Sequence, residues 1–128
     1  MGSALYIVAK EKPTDFDIIV DGKALARAEA ALGEICARIG VKAPMEFFSQ
    51  NPEELADMLG DEVPEMPPEQ WFSPEDGLRT VRALLAHLAT NGKSIRSAAA
   101  VIDDLKQCER VLVYLEKTKT QWHFAIDI

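Results

Sequence analysis

The chain has 128 residues, of which 48% are hydrophobic and 27% charged, the proportions of one ordinary globular domain that can bury a core without disulfide or metal staples. That balance excludes a disordered or collagen-like chain, and no apolar run reaches the ~20 residues that a bilayer span requires. The net charge of −7 is unevenly spread: residues 43 to 78 hold ten acidic and no basic side chains, together with six of the seven prolines.

In chain order, the opening MGSALYIVAK has no basic residue ahead of its apolar stretch, so no secretory signal is expected, and Tyr6 stands where a myristoylation signal needs Ser or Thr. Leu5 to Val8 reads as a β-strand. Phe16, Ile18, Ile19 and Val20 read as a second strand before the Asp21-Gly22 turn. From Ala24 the period becomes helical, with Leu25, Ala28, Leu32, Ile35, Cys36 and Ile39 on one stripe and Gly40 at its end. Ala43 to Phe48 is expected to be a turn that plugs the core with Met45, Phe47 and Phe48. Asn51 and Pro52 start a short helix to about Leu59.

Residues 60 to 70, GDEVPEMPPEQ, carry Pro64, Pro67 and Pro68 and predict an extended connector. Trp71 and Phe72 precede the clearest helix start in the chain, Ser73-Pro74-Glu75-Asp76, and are expected to be mostly buried anchors. That helix carries Leu78, Val81, Leu84, Leu85 and Leu88 on one face and stops at Asn91-Gly92. Ser94 is the expected cap of a last helix with the stripe Ile95, Ala98, Ile102, Leu105 and Leu112. In the closing strand, Trp122, Phe124 and Ile126 alternate with His123, Ala125 and Asp127, which buries one face. The reading is a single α+β domain over residues 1 to 128, with a small sheet of the terminal strands covered by about four helices.

Familiar catalytic and metal motifs do not account for the chain. Gly92-Lys93-Ser94 has His87 where a P-loop needs glycine, and Asp15, Asp17 and Asp21 lack the glycine and glutamate spacing of a calcium loop. HExxH, CxxC, GxSxG and GxGxxG are absent. No metal or cofactor is therefore expected. Cys36 and Cys108 lie far apart within helical patterns, as buried free thiols of a reducing cytoplasm do.

Two residues stand out as candidate catalytic groups. Glu109 falls between Ile102 and Leu105 on the helical wheel, where a carboxylate needs a partner such as Arg79, Arg82 or a Trp indole N–H. His123 points to the sheet face opposite the apolar residues of its strand, and histidine is the natural acid or base near neutrality. His87 belongs to a solvated flank.

The run WFSPEDGLRTVRALLAHL, the helix VIDDLKQCERVLVYLEKTKTQ and the strand WHFAIDI resemble the C-terminal pattern of the YfbM-like group of small uncharacterised bacterial proteins, with a shorter connection between the two helices. The resemblance covers residues 71 to 128. It implies an α+β bacterial cytoplasmic protein and transfers no residue roles.

Two functions follow as expectations. The first is a non-enzymatic module that binds a protein partner with a basic surface through Glu62, Glu65, Glu69 and Trp71, since an acidic face disfavours nucleic acid. The second is a small-ligand site or enzyme built on Glu109 and His123 with Trp71 and Trp122.

Overall fold

The computed structural model describes residues 3–49 and 68–127. Its elements are β1 (Ala4–Ala9), α1 (Lys23–Arg27), α2 (Glu29–Ile39), a 3-10 turn (Pro44–Phe47), α3 (Pro74–Thr90), α4 (Ala98–Lys117) and β2 (Trp122–Asp127). The fold is α+β. The first and last strands pair antiparallel, from Ala4 opposite Asp127 to Ala9 opposite Trp122, so the two ends of the described chain are joined in one ribbon. The short helix expected at 52 to 59, most of the connector and the side chains of Glu62 and Glu65 lie outside the described residues.

The register sorts the sheet into two faces, because residues directly opposite each other share a side. Leu5, Ile7, Trp122 and Phe124 form the core face, and all four are buried. The α3–α4 hairpin covers it with Leu78, Val81, Leu84 and Leu88 from one helix and Leu105, Cys108, Leu112 and Leu115 from the other. A two-stranded ribbon is not stable alone, and this helical layer supplies the burial that holds it.

Two glycines permit close approach. Gly22 has φ 69°, and a Cβ there would lie 1.7 Å from the Leu5 carbonyl oxygen; the Leu5 amide donates to the Gly22 carbonyl at 3.0 Å. In α3, a Cβ on Gly77 would meet the Trp122 ring at 2.3 Å. The helix start expected at Ser73 is present: its side chain accepts from the Asp76 amide at 3.2 Å, with Pro74 in the first turn.

Three local expectations are corrected. Residues 16 to 20 are not a strand. Phe16 stacks on Tyr114 with centroids 4.0 Å apart, and the Arg110 guanidinium lies 4.8 Å from the Phe16 centroid, so α4 rather than β1 takes up this segment. Ile19 is left 76% exposed. The helix from Ala24 is broken at Ala28 into α1 and α2, although Leu25 and Leu32 are both fully buried on either side. The last helix starts at Ala98, because the Ser94 hydroxyl donates to the Asn91 carbonyl at 2.7 Å and closes a turn there. Trp71 and Phe72 are mostly buried, as expected; the fully buried indole is that of Trp122.

Candidate functional site

β2 is the element on which the chain's polar chemistry converges. On one side it pairs with β1. On the other, Ser49 donates its amide to the Phe124 carbonyl at 3.0 Å, and Phe72 and Trp122 exchange two backbone hydrogen bonds at 2.9 and 3.0 Å. The Gln70 amide donates to the Ser49 hydroxyl oxygen at 2.7 Å. The two flanks of the acidic, proline-rich stretch therefore meet beside one strand, at a neck made of Ser49, Gln70 and Phe72.

His123 faces away from the core, as its alternation in β2 requires, yet it is only 1% exposed. Glu69 and Trp71 account for part of that cover: the Glu69 carboxylate lies 2.6 Å from Nε2, and the Trp71 ring lies 4.8 Å from the imidazole, centroid to centroid. Nδ1 lies 3.0 Å from the Phe124 carbonyl oxygen. Both ring nitrogens thus face oxygen atoms, and the Glu69–His123 bond, with the ring buried, is a fastener for the neck.

Glu109 is placed elsewhere. Its Oε2 accepts from Arg82 Nε at 3.1 Å, with 34% of the Glu109 side chain and 57% of the Arg82 side chain exposed. Arg82 was among its expected partners; the Trp122 indole N–H instead donates to the Ser73 carbonyl at 3.0 Å. Of the expected site residues, Glu69, Trp71 and His123 are brought together, and Glu109 sits on the α3–α4 seam.

The buried carboxylate of α4 is Asp104, which sequence reasoning passed over. It is 4% exposed, and its Oδ2 accepts from the amides of Ala24 and Leu25 at 3.0 and 3.2 Å. It caps the first turn of α1, where Gly22 offers no side chain. Burial pushes its carboxyl above the ordinary range, opposed by those two backbone bonds. The buried positions of α4, Val101, Asp104, Leu105, Cys108, Val111, Leu112 and Leu115, have regular three- and four-residue spacing, which was the available signal. Glu109 follows Cys108 by about 100° on the wheel and so lies on the flank.

Both thiols are free and buried. Burial, with a smaller contribution from Glu46, pushes Cys36 up to about 11. Burial, with Asp104 adding to it, pushes Cys108 up to about 12. Neither is a thiolate nucleophile under neutral conditions. Among the described residues no three His, Cys, Asp or Glu side chains are grouped to hold a metal ion, and no helix is long and apolar enough to cross a membrane. No family model, curated protein or solved structure matches the chain.

Proposed function

We propose that the protein is a cytoplasmic, non-enzymatic interaction module that offers its acidic, proline-rich stretch to a protein partner with a basic surface. The observation that carries this reading is the neck: the stretch between Ser49 and Gln70, with seven acidic and no basic side chains, has its two flanks fastened beside β2 by the Ser49–Gln70, Phe72–Trp122 and Glu69–His123 bonds. Holding both flanks in place lowers the entropy those flanks lose on association, which favours binding. Glu69 and Trp71 serve as anchors in this account, and Glu62 and Glu65 as docking carboxylates. Buried free thiols are in keeping with a reducing compartment. Kinship with the YfbM-like group belongs to the same proposal and adds no residue role.

The test is affinity capture from cell extract with the wild type and the Glu62→Gln/Glu65→Gln variant, at low and at physiological ionic strength. Exposed charges are screened beyond about 8 Å at physiological salt, so the expected partner is retained by the wild type at low salt and reduced by salt or by the double substitution. A partner held equally by both proteins at both salts contradicts the electrostatic docking.

A further inference from the structure

A cleft of about 530 Å³ opens between α1–α2 and the turn that precedes α4. Its walls carry two cations from different elements, Arg27 at the end of α1 and Arg96 in the turn, with the hydroxyl-bearing Ser94 and Ser97 and no acidic side chain. Neither guanidinium is engaged in an ion pair or hydrogen bond with another described residue. In a chain of net charge −7, a cleft holding two arginines that are unpaired among the described residues, and lined by no carboxylate, runs against the overall field. Its floor is apolar, formed by small side chains such as Ala24, Ala28 and Ala31 together with Ile95.

We infer that this cleft is a binding site for an organic phosphate of metabolite size, with the phosphate group held by Arg27 and Arg96 and the organic body on the alanine floor. The volume falls within the range of about 300–1,000 Å³ typical of small-molecule sites. Guanidinium forks match phosphate oxygens in bidentate geometry, which a lysine would not. The wall also includes Ser97 and Ala100 at the start of α4, whose first turn has neither a side-chain cap nor an acidic residue. Its amides therefore add donors of the right sign. This site is separate from the acidic stretch and does not depend on its role.

The test is calorimetric titration of the full chain with adenosine monophosphate, inorganic phosphate and citrate, on the wild type and on Arg27→Gln, Arg96→Gln and Arg38→Gln. Arg27 and Arg96 are exposed, so their variants are expected to melt with the wild type. The inference predicts saturable binding of the nucleotide, weaker binding of inorganic phosphate, and an affinity about tenfold lower in each of the two cleft variants, the loss of one charge-assisted contact. Arg38, exposed and outside the cleft, sets the effect of overall charge, and its variant binds as the wild type does. Amide resonances of Ser97 to Ala100 shift on binding. Absence of saturable phosphate binding overturns the site, as does equal weakening by Arg38→Gln. Inorganic phosphate binding as tightly as the nucleotide overturns the organic body, and preference for citrate overturns the phosphate.

Discussion

Replacing Glu69 by leucine removes the acceptor from His123 Nε2 while leaving the ring 1% exposed against Trp71. A buried polar group left without a partner costs about 1–3 kcal/mol. Because 21% of the Glu69 side chain is exposed, water can reach the vacated position, which places the expected loss at about 2 kcal/mol. For a chain of 128 residues that is a fall of roughly 6–10 °C in Tm. Glu69→Gln should cost less than about 1 kcal/mol, since its amide can still hydrogen-bond Nε2. The double variant Glu69→Leu/His123→Leu should recover part of the loss, as apolar replacement of both partners often does. Urea unfolding measures the stabilities. A Glu69→Leu protein as stable as the wild type would refute the reasoning.

Gly77→Ala should raise helix propensity by about 1 kcal/mol, yet its methyl would stand 2.3 Å from Trp122; overpacking of about 1–3 kcal/mol or more wins, so thermal melting should show a net loss. Asp104→Leu leaves the Ala24 and Leu25 amides without their acceptor and should cost about 2–4 kcal/mol in urea unfolding, whereas Glu109→Leu, which breaks a half-exposed pair, should change stability by under about 1 kcal/mol. Since the Asp104 carboxyl is raised above 3.8, the folded chain binds more protons than the unfolded one in the window just above that value. Its contribution therefore falls as pH rises through the window, and the difference between the wild type and Asp104→Asn in pH-dependent unfolding should show that negative slope. Cys36 and Cys108 should resist a thiol-specific disulfide reagent in the native state and react fully in denaturant.

The terminal strands, the Ser73-Pro74 helix start and the α3 stripe were legible because period and capping are local properties of a few consecutive residues. The failures have long-range causes. Asp104 reads as a solvent residue until its partners are known, and those lie 80 and 79 positions away; with it discounted, the wheel tilts toward Ile102 and draws Glu109 into the stripe. Alternation in β2 assigns His123 to the correct face but not its cover, which comes partly from Glu69, 54 positions earlier. Phe16 to Val20 has strand composition, and the ring of Tyr114 and the guanidinium of Arg110 decide its fate. The Arg27–Arg96 cleft carries no sequence signal, because only the fold brings α1 and the turn before α4 together.

The docking account is tested most directly by the salt dependence of affinity for the captured partner, measured for the wild type, Glu62→Gln/Glu65→Gln and Glu69→Leu. Neutralising two docking carboxylates should flatten the decline of affinity with ionic strength, and releasing the neck should weaken binding at every salt while leaving that decline as steep as in the wild type. An unchanged slope in Glu62→Gln/Glu65→Gln, or unchanged affinity in Glu69→Leu, would contradict it.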